Sequence, residues 1–145
     1  MNLNPKIIAV DFDGTIVEHK YPNIGKEMLF AFATLKELQE KGHHLILWTY
    51  REGELLQEAV DYCAENGLVF YAVNESYLGE SKEVSYSRKL NADLFIDDRN
   101  LGGFVGWDEV WQMLHPDGGA FIHKLKNPKA HHNFREKKSF SFWRK

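Results

Sequence analysis

The sequence predicts an α/β protein built on a mainly parallel sheet. Short apolar runs at residues 7–10, 45–48, 68–73 and 93–96 alternate with longer segments whose apolar residues recur at helical spacing. Parallel strands need crossovers, and helices in those crossovers cover both faces of the sheet, giving a Rossmann-like three-layer sandwich. Three of the runs also end abruptly in polar residues, at Asp11, Thr49 and Asp97. Ligands of such sheets bind just beyond the carboxyl ends of the strands, so these endings point to one shared site.

The first run, Ile7-Ile8-Ala9-Val10, leads into Asp11-Phe12-Asp13-Gly14-Thr15. At a strand period of two, Asp11 and Asp13 point to the same side, and Gly14 lets the chain turn away at once. A calcium loop of the EF-hand type does not fit, because Ile16 stands at the position requiring glycine and Pro22 at the position of the closing glutamate. Residues 16–25, with His19 and Tyr21-Pro22, read as a loop beside the strand tip. Met28, Ala31, Phe32, Leu35 and Leu38 predict a helix over 26–41, with Gly42 at its C-terminal cap. The second run ends in Thr49-Tyr50-Arg51. Leu55, Leu56, Ala59, Val60 and Cys63 predict a second helix over 52–66 closed by Gly67, with Glu52 and Glu54 complementing its dipole.

A third strand is expected over 68–73, then an irregular segment with one helical turn between Asn74 and Leu90. The fourth strand ends in Asp97-Asp98-Arg99-Asn100. Gly102-Gly103 breaks the chain before a short helix over 107–115, whose Val110, Trp111 and Leu114 share a face. Residues 1–115 form the expected domain, and 116–145 a basic, aromatic appendage rather than a second domain. The first part carries 10 Lys/Arg against 19 Asp/Glu, the appendage 8 against 2. Cations mixed with Phe140, Phe142 and Trp143 also occur in nucleic-acid-binding segments, but docking on the acidic body or a neighbouring subunit is the favoured reading. The single Cys63 excludes an intrachain disulfide framework and reads as core. With no signal-like or membrane-spanning apolar stretch, the expected location is cytoplasmic.

Several acids converging on one point repel each other unless a cation sits among them. Oxygen ligands with few carboxylates favour Mg²⁺ over Ca²⁺, and a site of this kind suits a phosphate. Histidines give no rival centre: His43-His44 opens a strand at the end opposite the acids, and His131-His132 lacks Cys or acid neighbours. There is no Gly-rich nucleotide loop.

In these residues the chain resembles the haloacid dehalogenase superfamily of aspartate-dependent phosphohydrolases, over residues 6–101. The first motif is matched by Asp11-Phe12-Asp13-Gly14-Thr15, the second by Leu45-Ile46-Leu47-Trp48-Thr49 and the fourth by Phe95-Ile96-Asp97-Asp98. The resemblance implies that Asp11 is the nucleophile forming an aspartyl-phosphate and Asp13 the general acid that later activates water. Asp11, Asp13 through its backbone carbonyl, Asp97 and Asp98 would serve Mg²⁺, while Thr49 would hydrogen-bond the phosphoryl group. Lys89 is the first choice for the charge-neutralising cation of the third motif, with Lys82 and Arg88 as alternatives. Gly14, Thr15, Arg51 and Arg99 complete the candidate substrate-binding set. The implied activity is phosphoric monoester hydrolysis. Phosphotransfer to another acceptor and a binding module without turnover are the alternatives.

Members of the resembled superfamily carry a cap domain after the first motif or between the second and third. Here 33 residues separate Thr15 from Thr49 and 39 separate Thr49 from Lys89, and predicted elements use much of both. Neither interval holds a folded cap, because units below about 40 residues seldom stand unaided. An open site is expected, serving either a large phosphorylated substrate or an oligomer whose neighbour closes it.

Overall fold

A computed structural model of the chain describes residues 4–80 and 87–116. Four strands form one parallel sheet: β1 (Ile7–Val10), β2 (His44–Leu47), β3 (Ala72–Val73) and β4 (Leu94–Ile96), in the order β3-β2-β1-β4. The fold is therefore α/β with an all-parallel sheet, as expected. β1 is central, Ala9 pairing with Ile46 on one side and Phe95 on the other. Its continuous apolar sequence reflects burial on both faces, since Ile8, Ala9 and Val10 are all buried.

Side-chain alternation divides the core in two. Ile8, Val10, Leu45, Leu47 and Ile96 face the larger cluster, joined by residues of all three helices, α1 (Ala31–Glu40), α2 (Gly53–Glu65) and α3 (Trp107–Leu114). Ala9, Ile46 and Ala72 face a smaller cluster completed by Leu90, with Trp48, Ala92 and Phe95 packed against it. The crossover from β3 to β4 supplies Leu90 and Ala92 to this second face. The helical turn expected in that crossover lies partly outside the described residues, at 81–86; the described part, 74–80, is bends and turns.

α1 starts later than its periodicity predicts. Residues 26–28 instead pair with 16–18: Val17 bridges Glu27, and the Met28 N–H donates to the Ile16 carbonyl at 2.8 Å. The Glu27 carboxylate then accepts the Phe32 N–H at 3.0 Å, satisfying one of the open donors of the helix start. Both glycine caps are as expected. At Gly42 (φ 96°) the His43 N–H reaches the Leu38 carbonyl, and at Gly67 (φ 86°) the Leu68 N–H reaches that of Cys63. That cap consumes Leu68, so β3 is two residues long rather than the expected six. α2 and α3 match their predicted spans to within a residue at each end.

At the amino ends of the strands, His43 and His115 are both buried, with their Nε2 atoms 3.2 Å apart. The His43 Nδ1 accepts the Lys6 N–H, and the His115 ring stacks on Trp111 at 4.2 Å. Burial holds both imidazoles below their ordinary range, reinforced at His43 by Lys6 and His44 and at His115 by His43 and Lys41. This pair ties β2 to the end of α3, at the far end of the sheet from the acids. Among the described residues, no helix is long and apolar enough to cross a membrane. The basic appendage lies outside the described residues.

Candidate active site

The chain leaves β1 through a tight loop. The Asp11 N–H still donates to the Ile96 carbonyl at 2.9 Å, after which the Phe12 carbonyl accepts the N–H groups of Thr15, Ile16 and Val17. Gly14 stands inside this loop at φ 88°, and a Cβ there would run into the Asp98 carboxylate. Glycine is thus required both by the backbone and by the approach of β4's acid. Thr15 is fully buried. Its hydroxyl donates to Asp11 Oδ2 at 3.1 Å, and its carbonyl accepts the Trp107 indole N–H at 2.8 Å.

This loop, together with the end of β4, brings Asp11, Asp97 and Asp98 together, with one carboxylate oxygen from each within 4.8 Å of the others. Burial first, then the Asp98 side chain and the Asp97 charge, push the Asp11 carboxyl up from 3.8 to about 8, against a small lowering by the Thr15 hydroxyl. All donors in the cluster are oxygens, the set that suits a hard cation. Asp97 also accepts the Arg99 N–H at 2.9 Å, which fixes the turn after β4.

Asp13 belongs to a different grouping. Its carboxylate receives a fork from Arg51, Nε to Oδ2 and Nη2 to Oδ1, each at 2.8 Å. The other guanidinium donors go to the carbonyls of Pro22, Asn23 and, at 3.5 Å, Leu55. All five N–H donors are therefore engaged, and the guanidinium lies between the rings of Phe12 and Tyr21, 5.1 and 5.3 Å from their centroids. The expectation that Arg51 meets substrate phosphate is corrected accordingly. Arg51 is a buried clamp joining Asp13 to the loop at Pro22 and Asn23, and has no donor to spare.

Thr49 lies at the end of β2, with its N–H on Asn74 Oδ1 at 2.9 Å and its hydroxyl accepting the Arg51 N–H at 3.1 Å. Asn74, which the sequence reading did not single out, adopts φ 53° just after β3 and ties the ends of β2 and β3 together. The available signal was an Asn immediately after an apolar run, a residue type that tolerates left-handed backbone.

An open cleft of about 860 Å³ lies over the carboxyl end of the sheet and gathers Asp11, Asp13, Thr49, Arg51, Asp97, Asp98 and Arg99. Gly14 and Thr15 lie beneath it in the loop after β1. Lys89 is not brought to the cleft: its Nζ sits 5.7 Å from the centroid of Phe95, a ring of the second face, whereas its neighbour Arg88 lines the cleft. Lys82 lies outside the described residues. The cleft further contains His19, Tyr21, Trp48, Tyr50, Glu52 and Asn74. Among the described residues, neither interval between motifs carries a folded cap; the first holds α1 and its preceding bridge, the second α2 and β3.

Fold and site together define a parallel α/β protein with a carboxylate cluster and flanking arginines at the carboxyl end of its central strand. The chain is 55% identical to a conserved protein of known structure from Bacteroides thetaiotaomicron, over 79% of this chain and 93% of that one, with a TM-score of 0.74. The chain belongs to the family of that protein. No protein-family model matches the chain, and no curated protein does.

Proposed function

We propose that the protein is a Mg²⁺-dependent phosphoric monoester hydrolase of haloacid dehalogenase type, with Asp11 as its nucleophile. The observation that carries this reading is the position and electrostatics of Asp11. It is a carboxyl at the tip of the central strand, pushed up to about 8 by burial and two neighbouring acids, beside an open cleft flanked by arginines. Three carboxylates crowded at one strand end repel one another, and a cation and a phosphoryl group would relieve them.

Asp11, Asp97 and Asp98 would hold Mg²⁺, which when bound neutralises these carboxylates and the phosphoryl oxygens. An Asp11 carboxylate oxygen attacks phosphorus, and the bond from phosphorus to the ester oxygen breaks. Asp13, freed from the Arg51 fork and protonated from solvent, gives that proton to the departing oxygen. Water then attacks the aspartyl-phosphate, its proton passing to Asp13, and inorganic phosphate leaves with Asp11 restored. For this cycle Asp13 has to release at least one oxygen from the Arg51 fork, because both accept hydrogen bonds in the resting arrangement. Arg88 takes the charge-neutralising role first assigned to Lys89, and Thr49 with Arg99 orients the phosphoryl group. Cys63, buried and with its thiol pushed up to about 12, takes no part.

The engaged Asp13 favours a second reading, phosphate binding without turnover. Phosphate release from acetyl phosphate and from a panel of phosphomonoesters, with Mg²⁺ and with chelator, separates the two. Hydrolysis that needs Mg²⁺, disappears in Asp11→Asn and falls about 10²- to 10⁴-fold in Asp13→Asn supports the enzyme. Binding with no turnover supports the alternative.

A further inference from the structure

We infer that the cleft takes a nucleotidyl phosphate, its phosphoryl group over Asp11 and its base against Tyr50. The inference rests on the phosphohydrolase reading and adds the substrate class.

Tyr50 follows Thr49 directly at the end of β2 and is 88% exposed. Its aromatic neighbour is Tyr21 of the facing loop, 40% exposed, edge-on with centroids 6.2 Å apart. Tyr21 is held in place by the Arg51 guanidinium on its ring, so the pair has one anchored member and one bare member. An exposed ring at the rim of a polar cleft offers a flat apolar face that water solvates poorly.

Several polar groups beside Tyr50 are already tied up by the fold. Asn74 Oδ1 is taken by the Thr49 N–H, the Thr49 hydroxyl oxygen by the Arg51 N–H, and every Arg51 donor is in use. Beside His19 and Glu52, the cleft offers a leaving group the aromatic side chains of Tyr21, Trp48 and Tyr50. Its volume, about 860 Å³, far exceeds one phosphoryl group and falls in the range of pockets that hold nucleotide-sized ligands. Arg88 and Arg99 are both exposed at the cleft, a positive rim that suits the phosphate end of a nucleotide.

Titration calorimetry on Asp11→Asn protein with Mg²⁺ compares adenosine 5′-monophosphate, ribose 5-phosphate, phosphotyrosine and a 5′-phosphorylated single-stranded oligonucleotide. The mononucleotide is expected to bind at least about 10-fold more tightly than ribose 5-phosphate. Adding Tyr50→Ala should cost about 5- to 160-fold, the usual worth of one base stacked on an aromatic ring, and Tyr50→Phe should restore the affinity. Tighter binding of the oligonucleotide assigns a nucleic-acid end, and equal binding a free nucleotide. Equal affinities for nucleotide and ribose phosphate, no effect of Tyr50→Ala, or phosphotyrosine binding as tightly as the nucleotide overturns the inference. Acetyl phosphate hydrolysis by the unmodified protein reports separately on the phosphohydrolase reading, because it needs no leaving-group recognition.

Discussion

Asp11→Asn is expected to stabilise the metal-free protein, by an amount that grows with pH. In the folded state the Asp11 carboxyl is pushed from 3.8 to about 8, so between these values the folded chain holds a proton that the unfolded chain has lost. A raised folded value contributes stability that is complete below 3.8 and lost as pH rises through about 8. At about 1.36 kcal/mol per pH unit the full interval corresponds to about 6 kcal/mol. The cleft is open to water and salt, which screen the repulsion, so about 2–3 kcal/mol of this is expected to appear. For a chain of this size that is roughly 10 °C in Tm. Thermal denaturation with chelator at pH 5 and pH 8.5 should show the variant gaining little over the parent at pH 5 and about 10 °C at pH 8.5. Mg²⁺ should narrow the gap by stabilising the parent. A gap that is the same at both pH values would refute the argument that ionised Asp11 is repelled by Asp97 and Asp98.

Arg51→Ala should cost about 3 kcal/mol in urea unfolding, because it strands a partly buried carboxylate and frees the Pro22 and Asn23 carbonyls. Arg51→Lys should recover little, since an ammonium cannot reproduce the fork, and full recovery would count against the clamp. The His43–His115 pair should make stability fall as pH drops below 6.5: both imidazoles are held below that value when folded, so the unfolded chain binds protons first. His115→Phe should flatten the decline measured between pH 7.5 and 5, and an unchanged slope would argue against it. Gly14→Ala should lose about 1–3 kcal/mol from its left-handed backbone and displace Asp98, weakening Mg²⁺ binding as read by calorimetry.

The parts of the site legible in the sequence are those set by local rules. A buried run ending in Asp11 declares a strand tip, and the glycines after α1 and α2 mark their ends. The parts that were not legible depend on segments far apart in the chain. Met28 keeps helical spacing with α1 yet lies in a bridge to residues 16–18, so periodicity extends the helix past its true start. Arg51 looks equally suited to phosphate and to a carboxylate until the loop 28 to 29 residues away brings the Pro22 and Asn23 carbonyls to it. Arg88 and Lys89 sit in an irregular stretch where no period says which side chain faces inward, and the structure turns the arginine to the cleft and the lysine to Phe95.

The claim at the centre of the account is that Asp11 becomes phosphorylated. The most direct test quenches the protein with acid during turnover of a phosphomonoester in Mg²⁺, reduces it with borohydride, which converts an acyl phosphate into an alcohol, and sequences the peptides by mass spectrometry. The account predicts homoserine in place of aspartate at position 11, dependent on substrate and absent in Asp11→Asn. Steady turnover with position 11 recovered only as aspartate, or reduction at Asp13, Asp97 or Asp98 instead, would contradict it.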